Sequence, residues 1–279
     1  MVPTAMRLFV LTLLVSLSFV GSHAADQGAS RPATPAEIAL FKEAMKNSAQ
    51  DTEHWAYTET THVEASKGKP KGDTITRFDP SKPYAGQFTP LQIEGKSPTE
   101  KQLKDYRKRG EKRGERVAQA AEAARNPAFV ARPAPLRIAG TSVTPDLEHA
   151  LIFAEQNGLL TFEVPVKSTR QDIPVDKLQV LVTVNRQTQL LENATIRIRE
   201  AFRLKLIAKI KEGEASMDFT RIDPKFPPVV TNLVGDVSAS ILFIPITGNF
   251  ARTRTDWQRV KSFDERLSVK LGPLQTLDF

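Results

Sequence analysis

Along Val229, Thr231, Leu233, Gly235, Val237, Ala239, Ile241 and Phe243 every second residue is small or apolar, while Asn232, Asp236, Ser238 and Ser240 hold most of the positions between. A two-residue period predicts a strand with one dry and one wet face. Similar alternation recurs from Glu148 to Leu271 and predicts strands over 148–155, 159–167, 177–185, 189–199, 202–211, 214–222, 227–246, 251–261 and 267–271. Asn157-Gly158 is a hairpin signal, and Gly213 marks a tight turn. No helical period interrupts this half.

The N-terminal half mixes the two periods. Thr34, Pro35 and Glu37 form a cap, a first-turn proline and a returning carboxylate, so a helix opens there and ends near Ser48. Its Ile38, Phe41 and Met45 recur at three and four, with Leu40 and Ala44 beside them, which gives one apolar face. Three strands follow at 54–64, 73–78 and 87–94, the first two joined by the lysine-rich, turn-forming loop 66–72. Ser97, Pro98 and Glu100 repeat the capping pattern and open a second helix, whose apolar face stops after Leu103 and Tyr106. Gly110 and Gly114 each cost such a helix about 1 kcal/mol relative to alanine, which predicts a solvent-spanning or frayed rod. Residues 126–136, with Pro127, Pro133 and Pro135, read as a linker back to the sheet.

The predicted fold is therefore mainly β with helices (α+β). A large curved antiparallel sheet or unclosed barrel carries one amphipathic N-terminal helix and one long charged helix. The domain plan is a signal peptide at 1–24, a flexible lead-in at 25–34, and one β-rich domain at 35–279 with a charged helical insertion at 97–126. The leader rests on Arg7, the apolar run Leu8 to Val20, and the small residues before a cleavage point after Ala24. It places the mature chain in the periplasm. Cysteine is absent, so neither a disulfide nor a lipidated cysteine contributes.

Charge narrows the partners. The formal charge is +7, and the stretch Glu100–Arg116 holds eight Lys/Arg against four Asp/Glu. For an exported chain an anionic membrane surface is the expected counterpart, and nucleic acid is not. Candidate basic contacts are Arg107, Lys108, Arg109, Lys112 and Arg113 on the helix. A second set, Arg203 and Lys205, lies on a strand whose opposite face is Phe202, Leu204, Leu206, Ala208 and Ile210. Lys209, Lys211, Arg197 and Arg199 extend that strand set into an outer basic stripe.

Catalytic chemistry has little to stand on. Gly95-Lys96-Ser97 imitates the end of a phosphate loop, but Pro90 occupies the place of its first glycine. His54, His62 and His149 fit no zinc spacing, no nucleophile elbow occurs, and the pair Asp264 and Glu265 has no reading without geometry. No catalytic residue, metal site or cofactor is expected. The dry face is the other candidate: Ile38, Phe41 and Met45 on the helix, with Leu204, Leu206, Val237 and Ile241 on the sheet, could enclose an acyl chain.

Several stretches carry a resemblance. Trp55, Tyr57 and Thr58, the turn Phe78 to Pro83, the block Ile93 to Arg107, and the ending Asp256-Trp257 through Val260, Phe263 to Leu267 and Leu277 to Phe279 resemble secreted proteins of Gram-negative bacteria to which no activity is attached. The layout of leader, helix and long meander resembles the periplasmic lipoprotein-carrier superfamily. That resemblance implies an unclosed β-barrel with a helix-covered apolar cavity; the insertion 97–126 departs from its minimal plan. The expected function is a non-enzymatic exported protein that binds an acyl or lipid-like ligand. The alternatives are an envelope interaction module using the basic surfaces, and an outer-membrane barrel suggested by Phe279 and the many strands.

Overall fold

The computed structural model describes residues 30–49, 51–65, 71–124, 136–138, 141–168, 174–204, 208–241 and 244–267. The expected leader, residues 25–29 of the lead-in, the expected turn 66–70, the expected linker 126–135, Lys205, Leu206 and all of the strand expected at 267–271 but Leu267 lie outside these residues. In chain order the elements are β1 (Arg31–Pro32), α1 (Pro35–Asn47), β2 (Trp55–Ala65), β3 (Lys71–Phe78), β4 (Phe88–Gln92), α2 (Glu100–Ala124), β5 (Leu136–Ile138), β6 (Thr141–Pro145), β7 (Leu151–Gln156), β8 (Leu159–Glu163), β9 (Val166–Ser168), β10 (Leu178–Asn185), β11 (Leu190–Ile198), β12 (Phe202–Leu204), β13 (Ala208–Thr220), β14 (Val229–Ile241), β15 (Ile244–Arg259) and α3 (Phe263–Leu267).

One antiparallel sheet of 12 strands runs β1-β7-β8-β10-β11-β13-β14-β15-β2-β3-β4, with β12 paired to β13. β1 and β4 are its edges and do not pair with each other, so the described strands do not close into the barrel that an outer-membrane reading requires. The sequence order breaks where β15 pairs β2, which joins the C-terminal meander to the N-terminal one. β5, β6 and β9 form a separate three-stranded sheet.

The turn chemistry explains where the local rules succeeded. Asn157 and Gly158 both adopt positive φ (53° and 78°), and Gln156 pairs Leu159 across them. α1 begins on the expected box: Thr34 Oγ1 accepts from Glu37 N (3.3 Å), and Thr34 N donates to Glu37 Oε2 (2.9 Å). Three expectations are corrected. The run 202–211 is two strands, with Phe202 paired to Ile210 and Leu204 to Ala208, which its continuous alternation without a turn former does not signal. Gly213 is not a turn: it lies within β13, beside the Asp236 carbonyl of β14. The run 227–246 likewise divides, with Ile241 paired to Ile244.

The core is built where α1 crosses the sheet. Phe41 and Ala44 pack with Ala150, Ile152, Leu160, Phe162, Val164 and Val184, and the Phe41 and Phe162 rings lie 4.9 Å apart. Phe162, Leu160 and Val184 have no exposure, and burying each side chain contributes about 1.5–3 kcal/mol. The far end of α1 is tied to β11, where Ser48 Oγ accepts from Leu191 N (2.9 Å).

Candidate functional site

Strand register shows which side chains share a face. Val182 is opposite Ala194, Ala194 opposite Met217, Met217 opposite Leu233, Leu233 opposite Arg252, and Arg252 opposite Thr61. On β2 and β3 the same side carries Glu59 and Thr76, then Tyr57 and Phe78, and Phe88 of β4 continues it. Phe162 faces Val182, so the α1 core lies on this side too. The opposite side is polar. There Asn193 donates to Ser216 Oγ and Asp218 Oδ1 (both 2.8 Å), and Thr195 donates to Ser216 Oγ (3.1 Å).

α2 covers the β4 end of the dry face. Its cap is Thr99 and not Ser97: Thr99 N donates to Gln102 Oε1 (2.8 Å), and Gln102 N donates to Thr99 Oγ1 (3.3 Å). Ser97-x-x-Glu100 and Thr99-x-x-Gln102 satisfy the same capping rule, and the second frame is the one used. The glycines read as a cost are where the helix docks. A Cβ on Gly110 would lie 2.2 Å from the Tyr84 carbonyl oxygen, and one on Gly114 would lie 3.0 Å from the Tyr84 ring. Leu103, Tyr106, Gly110 and Gly114 thus form one inward stripe, and the two glycines carry it past the point where apolar residues stop.

Arg113 turns inward beside them. Its guanidinium lies over Phe88 (4.7 Å), Tyr84 (5.5 Å) and Phe78 (5.7 Å) and donates to Gln87 Oε1, itself buried. Burial holds its pKa below the usual guanidinium value. Arg113 is therefore a packing residue, where the sequence reading had it as a surface contact. Arg107, Lys108, Arg109 and Lys112 are exposed, and Arg109 leans over the Tyr106 ring at 5.6 Å. Arg203 is exposed on β12, which pairs β13 and lies far across the sheet from α2. The structure does not unite the two basic sets. It also removes part of the expected stripe, because Arg197 pairs with Glu214 and Arg199 with Glu163.

The apolar candidates separate in the same way. Phe41 is buried in the α1 core and Ile38 is half-buried, but Met45 is 43% exposed and points away from that core. Val237 packs with Ile210, Ala239, Ile198, Phe202 and Ile246 in another cluster. Leu204 and Ile241 lie at the strand ends beside that cluster, and Leu206 is outside the described residues. Between the α1 core and the α2 end, the dry face is floored by half-buried Ala194, Ile196, Ala215, Met217 and Leu233 and by Gly235. α1 packs on β11 and α2 on β4, leaving this floor between them.

One group of functional-looking residues escaped the sequence reading. Trp55, Tyr57, Phe78, Phe88, Phe226 and Trp257 form a chain of rings 4.6 to 6.1 Å apart. Arg254 lies 4.8 Å from the Tyr57 ring, and Arg259 lies 4.0 Å from Phe226 and 5.2 Å from Trp55. A bulge builds it: register shifts between Thr255 and Gln258, Asp256 takes φ 53°, and Trp257 is re-aimed onto the dry face. The alternation of Trp55 with Tyr57 was the available signal; the bulge had none. Glu59 pairs with both Arg252 (3.4 Å) and Arg254 (2.9 Å), and Asp51 with Arg259 (2.6 Å), so each of these guanidiniums has a carboxylate partner, one of them shared.

The histidines are structural ties. His54 reaches Asp51 through Nδ1 and Glu265 through Nε2 (2.7 Å), and both bonds raise its pKa above the ordinary value, the one to Asp51 most. His62 bonds Asp73 (2.7 Å) and Glu64 (3.2 Å), also with a raised pKa. Among the described residues no group of three or more His, Asp and Glu side chains is arranged to hold a metal. The exposed flank of α2 lines an open hollow with Glu100, Lys101, Lys104, Arg107, Lys108 and Glu111. No family model, no curated protein and no solved structure matches the chain.

Proposed function

We propose that this is a non-enzymatic exported protein that binds an acyl or lipid-like ligand on the dry face of its sheet. The observation that carries the reading is the apolar floor of half-buried Ala194, Ile196, Ala215, Met217 and Leu233 with buried Gly235, and one helix packed beyond each end of it. Apolar surface bordered by packed structure is where a ligand of matching chemistry gains most from leaving water. The periplasmic address rests on the leader read at 1–24, and the carrier analogy on layout alone.

Native mass spectrometry of protein purified from its own envelope tests this. The expected spectrum contains a protein-plus-lipid mass, lost in Leu233→Asp, and the melting temperature of stripped protein rises on adding the extracted ligand. A consistently empty protein whose melting temperature ignores lipid rules the reading out.

A further inference from the structure

Docking through Leu103, Tyr106, Gly110 and Gly114 leaves the opposite flank of α2 facing outward. Lys104, Lys108, Lys112 and Arg116 recur there at intervals of four, all exposed. At 1.5 Å per residue they form a row about 18 Å long with about 6 Å between neighbours. Like charges at this spacing repel and destabilise a helix. Among the described residues none of the four enters an ion pair, and Arg116 Nε donates back to the Lys112 carbonyl (3.2 Å), laying its guanidinium along the row. With Arg113 turned inward, seven cations against four carboxylates remain on the solvent side of Glu100–Arg116.

We propose that this row docks on an anionic lipid surface. Spaced four apart, the cations advance about 40° per step around the helix and form an exposed ridge on its solvent side, which suits an extended surface better than a pocket. Glu100, Asp105, Glu111 and Glu115 flank the row and weaken the field at any single point. Attraction then has to be summed over many phosphates, as a bilayer provides. Two of the four residues, Lys104 and Arg116, are not among those that the sequence reading selected, and Arg113 from that set is excluded by its packing. The proposal stands independently of the ligand reading.

Co-sedimentation of the full chain with vesicles tests it, using phosphatidylcholine alone and equal parts phosphatidylcholine and phosphatidylglycerol. Binding is expected only to the anionic vesicles, falling as salt shortens the screening length. Each neutralisation should weaken it about fivefold, so K104Q/K108Q/K112Q/R116Q falls by roughly 600-fold. The docked stripe is untouched, and the circular dichroism of that variant should match the wild type. R203Q/K209Q/K211Q/K225Q removes the same charge from exposed positions elsewhere and should still bind. The proposal is overturned if the wild type ignores anionic vesicles, if the row variant binds like the wild type, if the control variant loses as much, or if a DNA duplex is preferred to vesicles at the same salt.

Discussion

At the scale of single residues, two side chains carry roles that their type alone would not assign. Arg113 is a flat cation among rings, and a lysine offers neither that plane nor the fork that reaches Gln87. Arg113→Lys is expected to cost about 1–3 kcal/mol in urea unfolding and to alter the near-ultraviolet dichroism of the adjoining tyrosines. His54 fastens α3 to the start of β2 through Glu265, while Asp51 bonds both His54 and Arg259. Because its folded pKa lies above the ordinary 6.5, its stabilisation is complete below that value and is lost as pH rises through the folded one. His62 titrates in the same direction. The melting temperature should therefore fall as pH rises above about 6.5, and His54→Gln should lower it at the acid end and flatten the slope. An unchanged slope in that variant removes His54 from the account.

At the scale of elements, α2 reverses a rule. In an exposed helix Gly→Ala stabilises by about 1 kcal/mol, but a methyl on Gly110 would overlap the Tyr84 backbone at 2.2 Å. Gly110→Ala should instead destabilise by about 1–3 kcal/mol and loosen α2, with amide exchange rising along Leu103–Gly114. Gly114→Ala meets a ring 3.0 Å away, which can shift, and should cost less. Stabilisation by Gly110→Ala would mean that the helix is not docked. α1 shows the opposite case. Its cap, first-turn proline and apolar spacing all agree with its packing, so it was legible from Thr34 to Ser48. Caps and short turns are written in adjacent residues, which is why Thr34-Pro35-Ala36-Glu37 and Asn157-Gly158 could be read. Phe202–Leu204 pairs with Ala208–Ile210, and Ile241 pairs with Ile244, within runs whose alternation is continuous and holds no turn former between the paired residues, so sequence assigned one strand where there are two.

At the scale of the whole molecule, the sheet is long enough to have separate regions on one face: an aliphatic core under α1, an apolar floor in the middle, and an aromatic–guanidinium end beneath α2. Antiparallel architecture, the dry face and the helices α1 and α2 follow from local periodicity and capping, and the chain alone determined them. A period of two says that Leu233 and Val237 share a side of β14. It cannot say that Leu233 neighbours Met217 and Arg252, because strand order and register are set by contacts between residues far apart in the chain. For the same reason the candidate site was only partly legible. Phe41 and Val237 were recognised as buried-face residues, but tertiary structure placed them in different clusters and turned Arg113 inward. It also joined Trp257 to Trp55 and Tyr57 through a bulge and set the cation row of α2 on the outer side. Which residues meet is decided by packing across the sheet, where the docking of Gly110 against Tyr84 outweighs the propensity cost visible in the chain.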